Sequence, residues 1–229
     1  MNPPSSPTRG RPARLDRART VRTALDLLNE SGLDALTMRR LADAMGVQAG
    51  ALYRHFATKH DLLTAMADHM LGQAADAAEP TRSGHWSEET ARFARALRTA
   101  LLGHRDGARV FAGTHATGPN TLRFADNLTG VLRQAGFPDD EAARALYAIT
   151  NFTTGHTLEE QAALQPDDGK AAEAETLHQA VAAGTYPHLA ATLPTLTSTD
   201  FTAHFEYGLR LLLNGLRTTH PQAHQRHTT

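Results

Sequence analysis

The sequence contains no cysteine in its 229 residues. Disulfide bonds and thiolate metal sites are therefore excluded, and the composition fits a protein of the reducing cytoplasm. No apolar run approaches the ~18 residues of a membrane span, so no membrane contact is expected. The opening residues, MNPPSSPTRGRPAR, hold no apolar core of the kind a secretory signal needs. No stretch alternates apolar and polar residues as a half-buried strand does, so the fold is expected to be all-α. P-loop, dinucleotide and nucleophile-elbow motifs are missing too. There are 13 histidines, but no zinc motif places two of them on one predicted helix face. His220, His224 and His227 sit together only in a tail, 219–229, expected to be flexible. No metal, no cofactor and no enzymatic activity are expected.

What is present describes a folded globular chain, 41% hydrophobic and 21% charged. Its length suits one large or two small domains. The net charge of −1 conceals an asymmetry. Residues 1–60 carry nine Arg and one Lys against five acids, or +5; the remainder carries 13 basic and 19 acidic residues, or −6. A basic head on an acidic body matches a nucleic-acid-binding module joined to a ligand- or partner-binding one.

The segment TMRRLADAMGVQAGALYRHF, 37–56, is the most informative. Thr37 is a good helix N-cap. Leu41, Ala42 and Met45 form one apolar face, Gly46 suits a left-handed helix end, and Val47 fills the corner. A second short helix begins near Gln48 with the small residues Ala49, Gly50 and Ala51. Two helices joined by a short Gly-containing turn are the helix-turn-helix of DNA readers, whose second helix enters the major groove. The small residues allow the backbone close to DNA, while Tyr53, Arg54 and His55 are placed to reach phosphates.

The residues Leu36, Thr37, Arg39, Leu41, Ala42, Gly46, Val47, Leu52, Tyr53, His55, Phe56, Lys59 and Leu62 form the pattern LT-x-R-x-LA-x-x-x-GV followed by LY-x-H-(F/V)-x-x-K-x-x-L. This resembles the DNA-binding domain of the TetR family. HRDGARVFAGT (104–114), Gly136-Phe137, LYAITNFTTGHTLEEQ (146–161) and FEYGLRLLLNGL (205–216) are similar to the tetracycline-repressor subgroup of that family. The likeness covers most of residues 15–217. It implies a three-helix DNA-binding domain, 15–62, and a larger helical ligand-binding and dimerisation domain, 63–218. It also implies that Arg39 contacts a base or phosphate and that Tyr53, His55 and Lys59 grip the backbone. The last helix and the long one near 139–163 would pair with those of a second copy. Leu209, Leu212, Leu213 and Leu216, with Leu146, Ile149, Phe152 and Leu158, suit such a bundle; the alternative is that they only fill the core of one chain.

Residues 1–14 are expected to be a disordered basic arm. Arg9-Gly10-Arg11-Pro12 resembles the core of an AT-hook, which lies in narrow A·T-rich minor grooves. The other reading is a tail adding general phosphate attraction. Apolar periodicity predicts helices over about 16–31, stopping at Gly32, and one starting after the N-cap Thr58 that carries Leu62, Leu63, Met66 and Met70. After a break at 80–87 it predicts further helices to Gly103, over 107–113, to Gly136, and from Pro138 to about 163. A loop is expected over 164–175, then weaker helices over 176–184 and 186–192, and a final helix from Thr199-Asp200.

In the subgroup, drug and Mg²⁺ are held through a histidine; the aligned position here is Phe111. The following threonine is kept as Thr114, the arginine after it is His115, and the acid that receives metal-bound water is kept as Glu159. The drug-contacting histidine and asparagine align with Ala75 and Phe93. Phe93, Leu97, Phe111, Phe124 and Phe152 suggest an aromatic-lined cavity, with Thr114, His115, Asn127, Asn151 and Glu159 as polar contacts; each phenylalanine could equally be plain core. The expected function is a homodimeric repressor binding a palindromic operator in double-stranded DNA and released by a mostly apolar small molecule. The rivals are a ligand-independent repressor or activator of the same fold, and an enzyme localised by a basic module.

Overall fold

The computed structural model describes residues 16–79, 85–115, 117–164 and 170–219. Within them are eleven helices and no strands. The expected basic arm with Arg11 and the tail histidines lie outside the described residues.

Helix α1 (Arg17–Ala35) is capped by Asp16, whose carboxylate accepts the Ala18 N–H, and buries Val21, Ala24, Leu25 and Leu28. Its regular part ends where expected, at Gly32, whose φ of 78° only glycine adopts readily. Helix α2 (Met38–Met45) starts on the expected Thr37 cap, whose hydroxyl accepts the Arg40 N–H at 3.1 Å. It ends on Gly46 in the left-handed conformation, φ 65°. Helix α3 (Ala49–Tyr53) follows after three residues. Helix α4 (Lys59–Ala77) opens with a complete capping box between Thr58 and Asp61.

The body comprises α5 (Trp86–Leu102), α6 (Gly107–Ala112), α7 (Pro119–Gln134), α8 (Asp139–Leu164), α9 (Lys170–Ala183), α10 (Pro187–Leu196) and α11 (Phe201–Thr219). Helix α4 is its organising rod, packed on α1 at the head end and on α5, α6 and α7 in the body. The expected domain boundary at 62/63 falls inside this unbroken helix.

Three boundaries differ from expectation. The break over 80–87 gives way earlier, because the His85 ring accepts the Ser87 N–H and caps α5, while Trp86 is buried edge-on against Phe137. The loop expected to run to 175 is already helical from Lys170. The reason is propensity without pattern: KAAEAE has no apolar stripe, but Ala, Glu and Lys are strong helix formers. Helix α10 runs on to Leu196 through Pro194; so close to the helix end, the proline removes a single ladder bond. Helices α9 and α10 pack chiefly on each other, leaving Leu177, Tyr186, Leu189 and Leu196 exposed. No helix among the described residues is long and apolar enough to cross a membrane.

Candidate nucleic-acid interface and ligand site

The helix-turn-helix presents its expected contact residues outward. Thr37, Arg39, Gln48, Gly50, Arg54 and His55 are exposed, Tyr53 is 50% exposed, and Ala49 is half-buried. Leu41, Ala42 and Leu52 anchor the pair from beneath. A Cβ placed on Gly50 would meet nothing within 4 Å. The protein itself therefore does not require glycine there, and the open space lies on the outside. Among the described residues, neither Arg39 nor Arg54 has an ion-pair partner.

Lys59 stands at the first position of α4, where the helix dipole disfavours a cation. An incoming phosphate would be favoured there. Its ammonium also reaches the Leu33 carbonyl, at 3.5 Å, so it touches the end of α1 as well. Arg17 was not singled out from the sequence. Its guanidinium lies 4.4 Å from the Phe56 ring centroid and donates to the His55 carbonyl at 2.9 Å. It thus fastens the α3–α4 connection to α1. No local signal could have revealed this, since the partners are 38 positions apart.

The head meets the body at a polar joint. The turn between α5 and α6 brings Asp106 against the end of α1, where its carboxylate accepts the Leu33 N–H at 2.8 Å. Arg109 bridges Asp106 and Asp34, and its hydrogen bond to Asp34 holds that carboxyl below the usual carboxylate range. Asn29 accepts the Arg105 N–H at 3.0 Å and its amide lies 3.4 Å from the His104 ring. Burial, followed by the charge of His69, depresses the His104 pKa.

Of the expected ligand residues, Phe93, Leu97 and Phe124 are brought together in the core, with Phe93 edge-on to Phe124 at 5.3 Å. Phe111 is half-buried on α6 against the same core. Thr114 is half-buried and its hydroxyl donates to the Phe111 carbonyl at 3.0 Å. Asn127 is half-buried on α7; His115, Asn151 and Glu159 are exposed in the single chain. Phe152 stacks on Phe205 between α8 and α11, with ring centroids 5.5 Å apart.

The neighbour of Glu159 has the buried role. Glu160 is 6% exposed and takes two hydrogen bonds from Arg98, at 2.8 and 2.7 Å, joining α5 to α8. The same guanidinium reaches Thr202 and lies over the Phe205 ring. His156 completes the group: its Nε2–H donates to the Phe201 carbonyl at 2.9 Å, and burial depresses its pKa. Nothing local in the sequence distinguishes Glu160 from its neighbour; only the packing does.

Similarity to known proteins places these features. Residues 21–66 match the family model "Bacterial regulatory proteins, tetR family", and residues 79–220 match "Tetracyclin repressor-like, C-terminal domain". The chain is 40% identical over 196 residues to the tetracycline repressor protein class A from transposon 1721 of Escherichia coli, covering 86% of this chain and 88% of that one. A possible TetR family transcriptional regulator from Streptomyces coelicolor A3(2) has a crystal structure with a TM-score of 0.82 and 77% identity, covering 89% of this chain and all of the other. The crystal structure of ActR, a TetR family protein of Streptomyces coelicolor, in complex with (S)-DNPA has a TM-score of 0.80 at 31% identity, covering 90% of this chain and 99% of that one. The exposed helix-turn-helix, the rod-like α4 and the helical body are thus those of a DNA-binding regulator, and the chain belongs to the TetR family of transcriptional regulators.

Proposed function

We propose that the chain is a homodimeric repressor that binds a palindromic operator and is released by a mostly apolar small molecule held without metal. The observation that carries this reading is the sharing of α4. Its first turn bears Lys59 beside the reading helix, and its body end packs on α5 and α7, which hold Phe93, Leu97 and Phe124. A ligand seated by that wall would act on the rod that carries the head. Two reading helices one turn of DNA apart, roughly 34–36 Å, bind one operator. A ligand that prefers another spacing shifts the population by its differential affinity. Exposed Tyr147, Tyr207 and Leu211 beside half-buried Leu146, Leu158, Leu212 and Leu216 on α8 and α11 support a bundle with a second copy. Arg11 and the arm would add minor-groove contact.

The donor set does not fit the Mg²⁺–drug chelate of the tetracycline repressors. Phe111 offers no nitrogen or oxygen where a hard cation requires one. A bare chelate against that ring would leave charge desolvated and unpaired, which costs free energy, whereas an apolar ring gains about 25 cal/mol per Å² buried. ActR, bound to (S)-DNPA, supports an organic ligand in this fold.

Titration of the operator complex with multi-ring aromatic compounds, with and without EDTA, tests the reading. Release unaffected by EDTA is the expected result. Release by a tetracycline only in the presence of Mg²⁺ would overturn the metal-free pocket. A complex that no compound in the panel dissociates would favour a ligand-independent regulator.

A further inference from the structure

Helix α7 has no side-chain cap of its own: Gly118 occupies its N-cap position and Pro119 its first turn. The cap is supplied by α4. The Asp68 carboxylate accepts the Thr121 N–H at 2.9 Å, the Thr121 hydroxyl at 2.8 Å and the Asn120 side-chain amide at 3.2 Å. A carboxylate is favoured at a helix N-terminus by the dipole and by charge-assisted bonds to its free N–H groups. Two glycines make the approach possible. A Cβ on Gly118 would collide with the Asp68 carboxylate, and one on Gly72, a turn further along α4, would lie 3.1 Å from the Asn120 side chain. Both walls of the seam are thus cut back so that one carboxylate can reach one helix end.

Asp68 sits about 14 Å along the rod from Lys59, at 1.5 Å per residue. On its other side, the capped end of α7 closes the connection from α6 that carries Thr114 and His115. The three bonds hold only while α4 and α7 keep their register, so sliding one helix along the other would break them together. A second tie between the same helices, Arg123 to Asp76 at 2.7 Å, joins more exposed side chains; Arg123 also donates to the Asn120 side chain at 3.4 Å, but it caps no backbone N–H of α7.

We infer that Asp68 is a positioning residue that locks the α6–α7 corner to the reading head through α4, so that DNA occupancy and the order of the α7 N-terminus form one equilibrium. The inference rests on the DNA-binding reading above. Coupling is reciprocal: if this corner influences the head, DNA on the head must tighten the corner. A cap of purely local importance would not respond to DNA.

Amide hydrogen exchange reads this directly. The probe is the duplex that the full-length wild-type protein captures from a randomised pool. In the wild type, this duplex should slow exchange over residues 120–123 about fivefold or more, the lower end of typical coupling. In Asp68→Asn, which keeps an acceptor oxygen but loses the charge, the slowing should shrink while DNA still protects the first turn of α4. In Asp76→Asn it should persist. If Asp68→Asn fails to fold by circular dichroism, Thr121→Val removes one bond from the α7 side and must reduce the slowing; undiminished slowing overturns the inference. A wild-type protein that captures a duplex without slowing at 120–123, or an Asp68→Asn protein that retains it undiminished, overturns the inference alone. A wild-type protein that captures no duplex overturns the DNA-binding reading and this inference with it.

Discussion

Asp106 and Leu33 are joined by a hydrogen bond of 2.8 Å across 73 positions of sequence. The bond exists because Gly32 breaks α1 with a positive φ, which leaves the next N–H for a partner outside the helix. Asp106 is 4% exposed and itself adopts the left-handed region, at φ 56°. Aspartate tolerates that conformation better than alanine does. Asp106→Ala should therefore lose about 2–4 kcal/mol, from an unpaired, part-buried Leu33 N–H together with backbone strain. Asp106→Asn, which keeps the shape and tolerates the backbone, should lose roughly half as much. Urea unfolding measures both, and an alanine variant as stable as the wild type would contradict the role given to this bond.

The Arg98–Glu160 pair has side chains 15% and 7% exposed. Breaking a buried pair leaves an uncompensated charge, so Glu160→Ala should cost about 3–5 kcal/mol. Replacing both partners with apolar residues, Arg98→Met with Glu160→Leu, should cost clearly less than the single change. Unfolding of the two variants decides between a pair held by its charges and one held by packing alone. Equal losses would rule out the charge argument.

Lys59→Ala should weaken binding similarly on all operator sequences and make the dependence of log affinity on log salt shallower by about one. Electrophoretic or anisotropy titrations at several salt concentrations give the slope. An unchanged slope would reduce Lys59 to its contact with the Leu33 carbonyl.

Acid should destabilise the fold from just below neutrality. Burial lowers the pKa values of His104 and His156 in the folded chain, whereas an unfolded imidazole titrates near 6.5. Between the folded and unfolded values the unfolded chain binds more protons, so stability rises with pH there and falls as pH drops through about 6.5. The urea midpoint should decrease between about pH 7.5 and about pH 5.5, and His156→Gln should shrink the decrease. Asp34 and Glu206, lowered by Arg109 and Arg95, contribute only further into acid. A flat midpoint over that interval would show that neither imidazole is held neutral.

The sequence by itself determined whatever depends on neighbours three or four positions away. The Thr37 and Thr58 caps, the Gly32 and Gly46 stops, the all-α class and the exposed reading helix could all be read because each rests on a local hydrogen bond or a local backbone preference. The start of α9 escaped because it has helix propensity but no amphipathic pattern to betray it. Tertiary structure alone decided which polar residues of a helix are buried and which distant groups they meet. Successive residues on a helix differ by about 100° in direction, so of Glu159 and Glu160 one is exposed and the other is buried against Arg98. The same holds for Arg17 over Phe56, Asp106 at Leu33 and Asp68 at Thr121. These contacts join distant segments, and their partners are set by how whole helices pack, which no local pattern encodes.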